Sequence, residues 1–328
     1  MIAITNLLFA VSVLVLALVL DLIFGDPSPN YPHRLQFRLH PTVWMGKFTK
    51  ALESHFKNPN KKIEKLNGVI LALIVIITFT LPVYFGLRII YAYLGVLVYV
   101  IIAAIILKLT ICMKLETDWG IAAAKAIESG DLTEARKYAH FSRRDNRELT
   151  GSQIVSSVIE SLAENLTDFR LSPIFYFTFF GVAGAVAFRA VNTLDGMVGF
   201  KDPEHLHIGW FSAVFDTIVN YIPARLTTLL IILAAAILGK DYKSAWTIAR
   251  RDQAKIPSTN HGWQMASIAG ALRVQLEKPG QYSVGDPIEE LDSNKILCSL
   301  KIRNVAIILA ILLAIPVLLI TNLYFFPF

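Results

Sequence analysis

From Ser152 to Leu166 the apolar residues Ile154, Val155, Val158, Ile159 and Leu162 recur at helical spacing. The opposite face carries Glu160 and Glu164, and Asp168 continues it one turn on. Like charges four residues apart mildly destabilise an exposed helix. They make sense where a cation or an ammonium group lies between them. Asn165, beside Glu164, adds an amide able to orient a ligand. The plainer reading of the pattern is a solvated polar face, since surface carboxylates are common.

A second constellation is basic. Arg143-Arg144-Asp145 and its echo Arg250-Arg251-Asp252 present forked guanidinium donors, which suit phosphate and carboxylate groups. The competing reading is charge that fixes orientation at a membrane face. Asp195, Asp216 and Arg225 lie in or beside apolar segments, where ionisable groups are costly and either pair or function. Cys112 and Cys298 match no metal-ligand spacing, which argues against a zinc site or a disulfide framework. The chain has no phosphate-binding Gly-rich loop ending in Gly-Lys-Ser/Thr, no dinucleotide fingerprint and no His-Glu-x-x-His. A nucleotide would bind without those devices.

The elements that position these residues are membrane helices. Of 328 residues, 55% are hydrophobic and 17% charged, with a mean hydropathy of +0.54. Soluble domains carry about 25% charged residues, so an ordinary cytosolic enzyme is excluded. The net charge of +6 does not indicate nucleic acid, because Lys and Arg cluster beside apolar segments. Spanning a bilayer takes about 20 apolar residues. Residues 2–20, 66–87, 89–107 and 304–328 qualify, the middle two reading as a hairpin divided at Arg88. Residues 171–188 and 217–239 are ambiguous, either spanning or packing as broken, re-entrant helices. The basic stretches 21–65, 108–170 and 240–303 share the cytoplasmic side only if both ambiguous segments span or neither does. The expected fold is an all-α integral membrane protein, a polytopic helical bundle with cytoplasmic helical loops. Its expected divisions are N-terminal membrane helices with a basic first loop (1–114), a cytoplasmic helical segment (115–170), broken or embedded helices (171–239), a second cytoplasmic segment (240–303) and a C-terminal membrane helix (304–328).

In this order, several motifs resemble one family. Asp21-Leu22-Ile23-Phe24-Gly25-Asp26-Pro27 with His40-Pro41-Thr42-Val43-Trp44-Met45-Gly46 is similar to its N-terminal signature. Ser142-Arg143-Arg144-Asp145, the run from Glu160 to Asp168, and Ala190-Val191-Asn192-Thr193-Leu194-Asp195-Gly196 resemble its middle. Ile222-Pro223-Ala224-Arg225 and Ala269-Gly270-Ala271-Leu272 resemble its last third. The family is the CbiB/CobD group of cobalamin-biosynthesis membrane proteins. Its Ser-Pro-Asn-x-Gly pattern stands here as Ser258-Thr259-Asn260-His261-Gly262, which loses the proline and keeps Asn260 and Gly262.

The resemblance implies an ATP-dependent amide ligase joining adenosylcobyric acid to (R)-1-amino-2-propanol O-phosphate. It implies Mg²⁺, with Glu164 and Asp168 as candidate ligands. It also implies a base among Glu160, Glu164, Asp168 and Asp195, and substrate or phosphate contacts from Arg143, Arg144, Asp145, Asn165, Asn192, Arg225, Arg251 and Asn260. The lipid bilayer is a partner, nucleic acid is not, and a homo-oligomer is compatible with the sequence. The expected location is the cell membrane, with the active site on its cytoplasmic side. A transporter, or a sensor without catalysis like the related AmpE-type proteins, is the competing class.

Overall fold

The computed structural model describes the backbone of residues 2–142 and 148–325 and the side chains of residues 7–139 and 148–321. Arg143, Arg144 and Asp145 lie outside the described residues. The chain divides into two compact units, residues 1–114, 172–219 and 313–328 in the first and residues 115–171 and 220–312 in the second. Each unit is built from separate stretches of the chain.

The first unit opens with α1 (Ile2–Phe24), followed by the short α2 (Leu35–Leu39), α3 (Pro41–Phe56) and α4 (Lys61–Lys108). The sequence places a hairpin break at Arg88. The break lies instead at Gly95, where φ is 81° and ψ 174°. Tyr91 and Tyr99, four residues to either side, have ring centroids 5.6 Å apart. A straight helix would separate residues eight apart by about 12 Å along its axis, so the chain doubles back. Only glycine takes such a backbone without strain. Arg88 stays on a continuous helix, exposed, and donates to the Tyr84 hydroxyl (2.9 Å). The returning arm brings Lys108 to the end of α1, where its ammonium donates to the Gly25 carbonyl (2.7 Å) and to Asp26, and lies 3.5 Å from Asp21. Asp21 in turn accepts the backbone N–H groups of Met113 (2.9 Å) and Lys114 (3.1 Å). The two basic stretches that begin near residues 21 and 108 therefore share one face.

The ambiguous segment after residue 171 resolves in the same way. Helix α8, which follows the described elements of the second unit in the chain, runs Ser172–Val198 with a positive φ of 65° at Gly181. Tyr176 and Phe188 stack across that point at 5.2 Å. An uninterrupted helix would hold them about 18 Å apart. The arm before Gly181 continues a helical stretch that begins at Gly151, without a break in the helix. The segment is a helical hairpin that reverses at Gly181. Its second arm packs on α3 and α4, and Leu194 joins Leu71, Ala72, Val75 and Ile208 in a buried core. Helix α9 (Trp210–Val219) completes the unit. Large apolar side chains left exposed on the long helices, among them Val15, Ile77, Phe85, Leu97, Leu312 and Leu313, suit a lipid environment.

The second unit contains α5 (Lys114–Glu128) from Leu115 onward, α6 (Leu132–Arg136), a 3₁₀ turn (Lys137–Ser142), α7 (Gly151–Leu166) and a π-turn (Thr167–Leu171). It continues with α10 (Tyr221–Ile237), α11 (Tyr242–Asp252), α12 (His261–Leu272), a β-hairpin, and α13 (Ser293–Phe325) as far as Leu312. Gly130 ends α5 at φ 75°, and Asp131 accepts the Glu134 N–H (2.9 Å) as the cap of α6. The echo reproduces this: Gly239 ends α10 at φ 64°, and Asp241 accepts the Ser244 N–H (2.9 Å). The hairpin, β1 (Gln275–Lys278) and β2 (Tyr282–Gly285), is an element the helical expectation lacked. Val274, Leu276 and Val284 are buried in alternation, and β1 packs on α7.

Among the described residues, four helical stretches are long and apolar enough to cross a membrane, residues 151–198 among them, or up to five if the α9–α10 pair counts as one broken span. Cysteines introduced at Asn58, Ser129 and Ser283, in a chain cleared of Cys112 and Cys298, are expected to react only with a membrane-permeant maleimide in intact cells. Reaction of any one with an impermeant reagent contradicts the shared inner face.

Candidate functional site

The carboxylates of α7 do not act as one row. Glu160 is buried and turns to the hairpin, accepting from the Ser156 hydroxyl (2.7 Å) and the Tyr282 hydroxyl (2.8 Å). The Ser156 hydroxyl also accepts the Glu277 N–H (2.8 Å), so Glu160 sits in the joint that holds β1 against α7. Glu164 and Asp168 face α12. His261 bridges them, with Nδ1 2.9 Å from Glu164 Oε1 and Nε2 3.3 Å from Asp168 Oδ2. The imidazole of His261 thus lies between the two carboxylates that helical spacing puts on one face. Asp168 belongs to the π-turn, a local widening of helix that recurs at functional sites. Its Oδ1 is buried and has no hydrogen-bond partner among the described residues.

The residue before His261 extends the set. Asn260 is buried, and its Oδ1 accepts from Arg225 Nη1 (2.6 Å). Arg225 also donates to the Thr259 carbonyl (3.3 Å) and lies over the Tyr221 ring at 3.6 Å. Beneath them Gln264 ties the two segments together. Oriented to satisfy both ends, its amide accepts from the Thr167 hydroxyl (2.6 Å) and donates to the carbonyls of Asn260 (2.7 Å) and His261 (3.1 Å). Gly262 has a steric reason: a Cβ there would lie 2.0 Å from the Gln253 carbonyl oxygen. Arg225, Asn260, His261, Glu164 and Asp168 thus form one continuous polar set within the second unit.

Burial alone would lower the His261 imidazole, but Glu164 and Asp168 outweigh it and hold its pKa well above the ordinary 6.5. A folded pKa raised above the unfolded one stabilises fully below the unfolded value, and that contribution is lost as pH rises through the folded one. Thermal unfolding in detergent is therefore expected to shift to lower temperature above neutrality. His261→Gln should flatten the profile above about pH 6.5, the ordinary imidazole value; an unchanged profile would remove the ion pair from the account.

Other sequence candidates occupy different places. The Arg251 fork is taken up by Asp252 (2.8 Å from both Nε and Nη2) and Asp286 (2.8 Å). Asp252 is fully buried and also accepts from Lys255 (2.7 Å) and the Gly285 N–H (2.8 Å). Burial would raise its pKa; the Arg251 and Lys255 bonds hold it far below the usual carboxylate range. This pair clamps β2 to α11. Asn192 and Asp195 belong to the first unit. Asn192 accepts from Arg189 (3.1 Å) and donates to Asp216 (3.5 Å), and Asp195 supplies the carbonyl that accepts the Gly199 N–H (2.8 Å). Among the described residues, Glu53, Glu204 and His205 of the first unit could also converge on an ion. Lys57 already lies 3.2 Å from Glu53 and 2.5 Å from Glu204.

A family model described as CobD/Cbib protein matches residues 14–312. The chain belongs to the CobD/CbiB family. It is 40% identical over 310 residues to the probable cobalamin biosynthesis protein CobD of Methanothermobacter thermautotrophicus, covering 94% of this chain and 98% of that one. The cobalamin biosynthesis protein CobD of Dehalococcoides mccartyi is 35% identical over 93% of this chain and 96% of its own. The probable cobalamin biosynthesis protein CobD of Methanocaldococcus jannaschii is 34% identical over 92% and 96%. No solved structure matches the chain significantly. In this CobD/CbiB chain the residue that sequence reasoning missed is His261, the unassigned position between Asn260 and Gly262. Its only signal was its place in that motif.

Proposed function

We propose that the chain is a membrane-bound ligase of cobalamin biosynthesis. It joins the free carboxylate of adenosylcobyric acid to the amine of (R)-1-amino-2-propanol O-phosphate, and ATP is consumed. What supports this reading is family membership together with the set of Glu164, Asp168, His261, Asn260 and Arg225, which combines proton-transfer groups with donors for anionic oxygen. The corrin carboxylate attacks the γ-phosphorus of ATP, ADP leaves, and an acyl phosphate forms. The amine, freed of one proton, attacks the acyl carbon and releases inorganic phosphate, leaving the amide. Glu164 or Asp168 takes the ammonium proton, and His261 holds both carboxylates in place. Arg225, with Arg143 and Arg144, contributes fixed positive charge toward phosphate oxygens.

The donor set fits Mg²⁺, which binds through one or two carboxylates plus substrate phosphates. Asp168, whose buried Oδ1 has no hydrogen-bond partner among the described residues, would hold it with Glu164. When bound, the ion would neutralise phosphate charge during transfer. The active site faces the cytoplasm, where ATP is.

Phosphate release from ATP by purified protein in detergent is expected only when both the corrinoid and the amine are present. Release that needs neither substrate, or none at all from folded protein, would overturn the reading. Arg225→Lys keeps the charge but loses the fork, and is expected to raise KM for ATP or the phosphorylated amine. Unchanged constants would remove Arg225 from phosphate contact.

A further inference from the structure

In the first unit the starts of α4 and α9 share one pattern. Ile63, Leu66, Ile70, Leu73 and Ile77 are all exposed, at steps of three and four residues along α4. Leu71 and Val75, on the other side of that helix, are buried with Ile208, just ahead of α9. On α9 itself Trp210, Val214 and Ile218 stand exposed at steps of four. Each stripe suits lipid, and each begins at a polar head. Lys61, Lys62 and Lys65 crowd the first turns of α4, and the Lys65 ammonium lies 5.0 Å from the centroid of the Trp210 ring.

These three lysines are exposed, and among the described residues no carboxylate pairs with them. Lys57, just ahead of α4, is by contrast held by Glu53 (3.2 Å) and Glu204 (2.5 Å). Lys61 and Lys65 stand four residues apart, where like charges repel, so the group gains from an anion. The surroundings select which anion. A free phosphate would use the ammonium groups and leave the apolar stripes idle, whereas a phospholipid uses both. Lysine stems lie along apolar surface while their ammonium groups reach headgroup level, and Trp is favoured at the same depth. Basic clusters directly beside a membrane helix attract acidic lipids.

We propose that the first turns of α4, with Trp210, form a binding site for an anionic phospholipid. Lys61, Lys62 and Lys65 hold its phosphate and headgroup oxygens, the Trp210 indole lies at headgroup depth, and an acyl chain runs along Leu66, Ile70 and Leu73. The site uses no residue of the proposed ligation. It fixes the depth of this end of the first unit in the bilayer. Through the Lys57–Glu204 and Lys65–Trp210 contacts, it also puts the loop between α8 and α9 at the same membrane surface as the first basic stretch.

The full-length protein, stripped of lipid in detergent, is titrated with phosphatidylglycerol, phosphatidylcholine and glycerol phosphate, and bound lipid is counted by native mass spectrometry. Phosphatidylglycerol is expected to bind at least about tenfold more tightly than phosphatidylcholine, since each lysine at an anionic headgroup is worth about fivefold. Lys65→Gln should weaken phosphatidylglycerol about fivefold. The triple change Lys61→Gln, Lys62→Gln, Lys65→Gln should abolish the preference and leave phosphatidylcholine binding unchanged. Lys57→Gln removes the same single charge outside the site and is expected to leave the preference intact. The three lysines are exposed, so the variants are expected to unfold at the wild-type temperature. Equal binding of the two lipids by the wild-type protein, a preference that survives the triple change, or an equal loss in Lys57→Gln and Lys65→Gln would overturn the site. Displacement of phosphatidylglycerol by glycerol phosphate at similar concentration would show a soluble-phosphate site and overturn the lipid assignment.

Discussion

Asp168→Asn is expected to lower the rate of product formation by about a hundredfold or more, the scale on which a positioned proton-transfer group contributes. The substitution keeps the shape of the side chain and removes its charge. His261 then loses one of the two carboxylates that bridge it, at 3.3 Å, and the unpartnered Oδ1 ceases to be a carboxylate oxygen. The loss should fall on kcat, with KM for adenosylcobyric acid nearly unchanged, because the interaction matters to the reacting centre and not to holding the corrinoid. Steady-state kinetics with each substrate varied would show this. Turnover near the wild-type rate in a folded variant would return Glu164, Asp168 and His261 to a purely structural role.

Arg170→Met is expected to be the most destabilising single change in the second unit, at about 3–5 kcal/mol, because it strands a buried charge. Arg170 is fully buried, and Glu116, its partner, is nearly so. Adding Glu116→Gln to Arg170→Met should recover part of the loss, since a neutral amide costs less to bury than an unpaired carboxylate. Thermal unfolding of the three variants in detergent gives the comparison. A loss below about 1 kcal/mol for Arg170→Met would show that water reaches the pair and screens it.

The membrane helices were legible because the apolar runs over residues 2–20, 66–107 and 304–328 are long enough to leave little alternative. Their turns were not. A charge in an apolar run looks like a boundary and points to a bend at Arg88, yet a long side chain can reach outward and leave the helix intact. Gly95 and Gly181 make the reversals, and hydropathy gives no sign of a backbone that must adopt positive φ. The β-hairpin was written in the alternation of Val274 and Leu276 with Tyr282 and Val284 around Pro279-Gly280, a signal shorter than the helical patterns on either side.

The site was half legible for a related reason. Glu164 and Asp168 stood out by helical spacing, but the group between them comes from a helix more than 90 residues later in the chain. No local pattern encodes that pairing. Arg251 and Asp252 show the same difficulty. Their adjacency suggests a grip on an anion, and in the fold Arg251 also meets Asp286, 35 residues on, a pairing no local pattern encodes. Glu160 likewise shares the helix of Glu164 and serves the hairpin through Tyr282.

The most direct measurement of the central claim is the mass of what the purified protein makes from adenosylcobyric acid, (R)-1-amino-2-propanol O-phosphate and Mg·ATP. The account predicts a corrinoid whose mass equals acid plus amine less one water, formed only when all three are supplied. Recovery of unaltered adenosylcobyric acid from folded protein, with all three present, would contradict it.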